Sequence, residues 1–456
     1  MPQSSFFDDF EPVSAKAWKH KIQFELKGAD YNENLVWDSP EGIKVKPFYH
    51  PDDFEGILKA SIPIPKSWKI GEQNYVGDTV KSNQKAIELL NRGIESLIFT
   101  IPNEGTDFEK LLVGLDLASV PVHFDLQFLS PKYVKILLAL FKGNHENCCL
   151  HVDPIGHLAR SGNWYKNLDS DLASMDEIQS FSAALCLGST FSIDMALYQN
   201  AGANMVQQLA YALGHANEYL NLGTRCRICF KVAVGSNYFF EIAKLRALRL
   251  LWKTLAKEYG ISAECHILAV PSQRNKSIYA YNTNMLRTTT ECMSAILGGA
   301  DTVSNLPYDA LYHKNNEFGD RLARNQLLLL KYESGFGALE DPAAGNYYIE
   351  SLTGHLAEKA LQLFKTLESD GGFLKQLKTH TLQRKIKESA QKEQLLFDAG
   401  KIVLVGTNIY RHQEDRMKES LALYPFVKTH SRKTLIEPII PKRLAEKMEQ
   451  NRLEHE

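Results

Sequence analysis

The sequence has no uninterrupted apolar run of about 18 residues, so no membrane-spanning helix is expected. Its opening residues, MPQSSFFDDFEP, have neither a basic flank nor an apolar stretch and do not read as a secretory leader. Charge of one sign is also missing. Lys+Arg number 52 against Asp+Glu 54, a net of −2. That balance argues against a nucleic-acid partner and against an anionic membrane surface. The cysteines, 7 in all, are odd in number and scattered, which fits a reduced, cytoplasmic setting better than a disulfide framework. No internal repeat, low-complexity tract, GxSxG, P-loop or HExxH occurs, and no GxGxxG follows a first strand.

What is present is ample apolar material, 44% of residues, in alternating strand-like and helix-like runs. The stretch Arg227–Val270 is representative. A β-rich run (Ile228–Val234) meets Gly-Ser-Asn, then a long amphipathic run (Tyr238–Tyr259), Gly260 and a second β-rich run (Glu264–Val270). Ile242, Leu245, Leu248, Trp252 and Leu255 recur three and four apart, giving one apolar helix face within a βαβ unit. Further strands are expected at Leu58–Ile64, Leu97–Ile101, Val120–Phe128, Cys148–Val152, Thr190–Ala196 and Thr302–Asn305. Helical patterns lie between most of them. Eight strands with helical crossovers predict an α/β fold, a (β/α)8 TIM barrel in preference to an open doubly wound sheet. The expected organisation is an N-terminal extended arm for partner docking (1–57), the barrel (58–335) and a C-terminal extension of loop plus helices (336–456). In that extension Lys401–Gly406 reads as a last strand and Pro441–Glu456 as a charged helix.

Candidate chemistry is sparse. Cys226-x-x-Cys229 has the spacing of half a zinc site, but no second pair accompanies it. Cys148-Cys149-Leu150-His151-Val152-Asp153 ends a strand at the face where such barrels carry their sites; packing is its simpler reading. His266 sits within a strand and points either into the barrel or toward a helix. Asp194 is a charge in a strand-like run, either paired or beyond the strand's end.

Several separated motifs bear a resemblance. LVWDSPEGIKVKPFY, FFEIAKLRALRLLW, LRTTTECMSAILGGADTV, ARNQLLLLKYES and DPAAGNYYIESLT resemble, in order, the barrel part of the methylmalonyl-CoA mutases, over about residues 13 to 410. These are cobalamin-dependent isomerases. The resemblance implies a barrel that in catalytic chains holds acyl-CoA along its axis. It also implies a Rossmann-like domain that binds cobalamin through Asp-x-His-x-x-Gly. This chain has no Asp-x-His-x-x-Gly, and His157 in DPIGH has the wrong spacing, so no cobalamin-binding Rossmann-like domain is expected.

Site positions implied by the resemblance also differ. The family's Arg-Pro-Trp-Thr-Ile-Arg-Gln-Tyr, placed after the first strand, is here Lys66-Ser67-Trp68-Lys69-Ile70-Gly71-Glu72-Gln73. Lys66 and Gly71 replace the arginines and Gln73 the tyrosine. In the family's Gly-Tyr-His-Met-Gln-Glu-Ala-Gly-Ala, Leu197 replaces the histidine that polarises the thioester carbonyl. His266 survives from His-x-Gln-Thr-Ser-Gly, but Leu268 follows it in place of the glutamine, and Val303 replaces the histidine of Leu-His-Thr-Asn. The resemblance thus implies no catalytic, cofactor-binding or metal residues in this chain, with His266 of open role. It implies the small, non-cobalamin-binding chain of a heterodimer whose large catalytic subunit carries adenosylcobalamin and interconverts (R)-methylmalonyl-CoA and succinyl-CoA. The alternative is an active acyl-CoA mutase barrel whose cobalamin domain is a separate chain.

Overall fold

The computed structural model describes residues 10–54, 62–141, 143, 145–338, 340–428 and 432–456. Eight parallel strands close into a barrel: β1 (Lys69–Tyr75), β2 (Ser96–Ile101), β3 (Val122–Leu126), β4 (Cys148–Val152), β5 (Ser189–Asp194), β6 (Ile228–Val234), β7 (His266–Pro271) and β8 (Thr302–Ser304). Val303 of β8 pairs with Ala269 of β7 and Ile70 of β1, which completes the ring. Side chains alternate along each strand. Leu97, Phe99, Phe124, Leu150, Phe230 and Ile267 face the surrounding helices and form the main core with Trp252 and Leu248. Ile98, Cys229 and Leu268 face the axis as a separate cluster.

The first strand differs from expectation. Residues 58–61 of the expected Leu58–Ile64 lie outside the described residues, and residues 62–64 are not strand. Pro63 and Pro65 remove backbone donors that a barrel strand requires. The strand KIGEQNY takes that place, so Gly71 and Gln73 lie within the first strand and not after it. After Ile70 its helix-facing positions are polar but paired. Glu72 meets Arg324 at 3.1 Å, and Asn74 donates to the Ser82 carbonyl at 2.9 Å. Without apolar alternation the strand gives no periodic signal.

The helix Tyr238–Glu258 follows β6, as its periodicity predicts, and buries polar residues as well as apolar ones. Arg249 donates to the Gly299 carbonyl and pairs with Asp301 at 2.6 Å, tying this helix to the start of β8. Arg246 meets Asp341 at 2.6 Å and Glu350 at 3.0 Å, tying it to the C-terminal extension. There the helix Tyr347–Ser369 packs on Tyr238–Glu258 and on Met205–Asn221, followed by Phe373–Lys378 and Thr381–Asp398. No helix of the described residues is long and apolar enough to cross a membrane.

In the N-terminal arm the helix Ala15–Glu25 starts at Ser14, whose hydroxyl accepts from the Ala17 N–H at 3.2 Å. It buries none of its residues; Trp18 is 49% and Phe24 79% exposed. A short hairpin, Trp37–Asp38 with Lys44–Val45, sets Trp37 against Phe240.

Two further expectations change. Lys401–Gly406 is a turn held by a single bridge, Val405 to Ile409, because Asn408 takes the local backbone groups. Pro441–Glu456 is helical only over Glu446–Glu454, and its anchors are polar. Glu449 lies buried against Arg443 at 2.6 Å and accepts from the Ile278 N–H at 2.9 Å. Before that helix the chain crosses the barrel's C-terminal rim. Ile439, Lys442 and Leu444 donate to the carbonyls of Ala159, Asn200 and Arg274, on the segments after β4, β5 and β7. Beneath them Lys276 meets Glu291 at 2.7 Å, both buried.

Replacing Lys276 by Met strands the Glu291 charge and costs about 3–5 kcal/mol, because a buried ion without its partner is strongly unfavourable. Urea unfolding reads this as a lower midpoint at unchanged slope, and Lys276→Met with Glu291→Leu recovers most of the loss.

Candidate functional site

The C-terminal ends of barrel strands are where such folds carry chemistry. Here that rim holds two ion pairs. Lys231 of β6 reaches Asp125 of β3 at 2.7 Å, and Arg160 reaches Asp194 at the end of β5 at 2.5 Å. The four charges are interleaved. Burial opposes the Lys231 charge, but Asp125 and Asp194 together raise its pKa. Asp194 is paired and part-buried, and lies within the strand, not beyond its end. It ends β5 and caps the helix Met195–Asn200, accepting from the Leu197 N–H at 3.3 Å. Beside this group His157 stacks on Tyr165 at 3.7 Å. Burial and then the Arg160 guanidinium lower its pKa to about 4.

Below the rim, Asp153 follows β4 and joins the strand to its helix. It lies 2.9 Å from His215 and accepts from the Tyr219 hydroxyl at 2.6 Å, while Tyr198 meets the other His215 nitrogen at 2.9 Å. Burial raises the Asp153 pKa, yet His215, Tyr219 and the Gly156 N–H outweigh it and lower the net value. All four side chains are fixed by one another, so the group is a positioning network for two βα loops.

The axis itself is filled. His123 of β3 and His151 of β4 are buried, with His123 Nδ1 and His151 Nε2 3.1 Å apart. The His266 ring lies 4.9 Å from the His123 ring, and its Nε2 is 3.1 Å from Thr302 Oγ1. Cys229, Ile98 and Leu268 complete the packing. Gly71 sits among them on β1. A Cβ there would lie 2.7 Å from Thr302 Cγ2 and 3.2 Å from Ile98 Cδ1, so no larger side chain enters without displacing its neighbours.

The positions singled out by resemblance are thus dispersed. Gly71, Leu268 and His266 face the axis together. Gln73 is exposed at the C-terminal end of β1. Lys66 is exposed and precedes β1, at the opposite pole from Gln73. Leu197 is buried in the main core just after β5. Val303 packs in the barrel–helix layer, level with Ile70 and Ala269. Asn305 bonds the Ala323 carbonyl and Gln326, a helix-anchoring role. Cys226 and Cys229 separate, the first part-buried at a strand start and the second on the axis. His123, Asp125 and Lys231 escaped the sequence reading. Their signal was charged or polar residues on one face of otherwise apolar strands, His123 and Asp125 in VHFDL and Lys231 in ICFKVAV.

Fold and site together define a (β/α)8-barrel protein whose axial volume is occupied by its own side chains and whose rim is closed by ion pairs. The family model described as Methylmalonyl-CoA mutase matches residues 103–453. The chain is 34% identical to the "Methylmalonyl-CoA mutase small subunit" of Porphyromonas gingivalis, over 89% of this chain and 71% of that protein. It is 29% identical to the "Methylmalonyl-CoA mutase" of Cereibacter sphaeroides, over 87% of this chain and 64% of that protein. It is also 29% identical to the "Methylmalonyl-CoA mutase small subunit" of Streptomyces virginiae, over 76% and 61%. The chain belongs to the methylmalonyl-CoA mutase family. It spans less than two thirds of the length of the last two relatives.

Two outcomes are expected from this geometry. Gly71→Ala overpacks the axis and lowers stability by about 1–3 kcal/mol in chemical denaturation. The His157 pKa is depressed in the folded state, so the ring contributes stability that is complete above the unfolded value of about 6.5 and declines as pH falls toward about 4. Unfolding free energy therefore drops on acidification by at most about 1.4 kcal/mol per pH unit from this ring, reduced by solvent screening at its partly exposed edge. His157→Asn removes that part of the slope.

Proposed function

We propose that this chain is the non-catalytic, structural small subunit of a heterodimeric methylmalonyl-CoA mutase. Its partner is a homologous large subunit that interconverts (R)-methylmalonyl-CoA and succinyl-CoA with adenosylcobalamin. The observation that carries this reading is the filled axis. A barrel that holds acyl-CoA lengthwise needs a channel, and His123, His151, Cys229, Ile98 and Leu268 take up that volume here. Gly71 is seated so tightly that an arginine in its place would collide with Thr302 and Ile98. Leu197 offers neither a hydrogen bond nor a titratable group at the position where the family's histidine polarises the thioester. The residues present do not fit cobalamin either, since the chain has no Asp-x-His-x-x-Gly loop. A separate cobalamin-binding chain would therefore meet a barrel without room for the acyl group.

The relatives lend support in kind. Two carry the name small subunit, and a Streptomyces virginiae relative is named large subunit. Residues 1–57 are the proposed docking arm, because the helix Ala15–Glu25 buries none of its residues and leaves Trp18 and Phe24 largely exposed, with Trp18 edge-on to Phe48.

Co-expression with a cobalamin-binding large subunit tests the reading. The two chains are expected to co-purify and to show mutase activity with adenosylcobalamin, while this chain alone shows none. Deleting residues 1–29 is expected to abolish co-purification. Activity of this chain alone, or full activity of the large subunit without it, overturns the proposal.

A further inference from the structure

One buried group on the filled axis has a chemistry beyond packing. Among the described residues, His123, His151 and Cys229 form the one cluster of His, Cys, Asp or Glu whose ligand atoms lie within 4.8 Å of one another. The three come from β3, β4 and β6, and all are buried. Two neutral imidazoles stack with ring planes at 23°, sharing one contact between His123 Nδ1 and His151 Nε2 at 3.1 Å. The remaining nitrogens, His123 Nε2 and His151 Nδ1, have no hydrogen-bond partner. Unmade hydrogen bonds at two buried polar atoms are costly, and native interiors rarely leave them so.

We propose that His123, His151 and Cys229 bind one divalent transition metal of borderline softness, zinc or a close analogue, as an internal cross-link of the barrel. Two imidazoles and a thiolate suit such an ion better than a hard cation, which prefers oxygen ligands. Three protein ligands leave one coordination position for solvent or a neighbouring group. The charge balance is simple. Metal entry displaces the Cys229 thiol proton to solvent and leaves both imidazoles neutral, each bound through one nitrogen. The nearest cation, Lys231, is already neutralised by Asp125. His266, only part-buried, lies against His123, so the cluster is one ring from the barrel exterior. This inference goes beyond the subunit role, and its test uses this chain alone, so either can fail without the other.

The full chain is stripped with a chelator and titrated with Co²⁺. One equivalent is expected to bind with a thiolate-to-cobalt charge-transfer band and the intense ligand-field absorption of a four-coordinate site. Zinc is expected to displace it and to raise the thermal midpoint. Cys229→Ala, a small change at a buried position, is expected to remove the charge-transfer band while circular dichroism shows an intact fold. His151→Gln is expected to weaken binding at least tenfold. Removing the two cysteines that are not buried, Cys186→Ser with Cys226→Ser, is expected to leave the band unchanged. A folded parent that takes up no Co²⁺, a band that survives Cys229→Ala, or a band lost with Cys186 and Cys226 overturns the proposal.

Discussion

Closing eight parallel strands into a ring encloses a volume that must be filled, because a vacant apolar tube forfeits contacts on every side. In this chain the filling is its own side chains. Ile98, Cys229 and Leu268 pack across the axis, and three histidines from β3, β4 and β7 stack beside them. That choice propagates outward. With the axis occupied, Gly71 must stay small, and the polar groups of the C-terminal rim pair with one another: Asp125 with Lys231, Asp194 with Arg160. Each of these rim positions thus has a partner within the protein.

The helical shell depends on a different device. Lys244, Arg246, Arg249 and Lys276 are cations buried among apolar neighbours, and each reaches a carboxylate from another turn or element. Such pairs add little net stability, since desolvation offsets their attraction, but they penalise any arrangement in which the partners fail to meet. They therefore fix which helix meets which loop. Arg246 fastens the C-terminal extension to the barrel in this manner, and Arg443 with Glu449 fastens the segment that crosses the rim.

The architecture was legible because apolar alternation and long amphipathic runs follow the chain closely. β4 and β6 fall at the positions that periodicity assigns, and the helix Tyr238–Glu258 matches its apolar face. β1 was hidden, since Glu72 and Asn74 are satisfied by residues far away or on the next helix, which no local pattern reveals. The site was legible only in fragments. His266, His151 and Cys229 each stood out alone, but their meeting depends on strand register and on which way each side chain points. His123 is 28 residues from His151 in sequence and 3.1 Å from it in space. The tail was misread for a related reason: its anchors are Glu446 and Glu449, charges that signal exposure unless their buried partners are known.

The rim-crossing segment bears on the order of events during synthesis. Ile278 waits for Glu449, 171 residues later, and Ser161 for Arg432, 271 residues later. At about 5–20 residues per second the first interval alone lasts roughly ten to thirty seconds. Once β8 (Thr302–Ser304) has been made all eight strands exist, while the loops after β4, β5 and β7 still lack the backbone partners that will cover them. The emerging ring is thus an unsealed vessel whose upper edge is finished last, and its exposure to wrong partners is set by translation speed as much as by the strength of any contact.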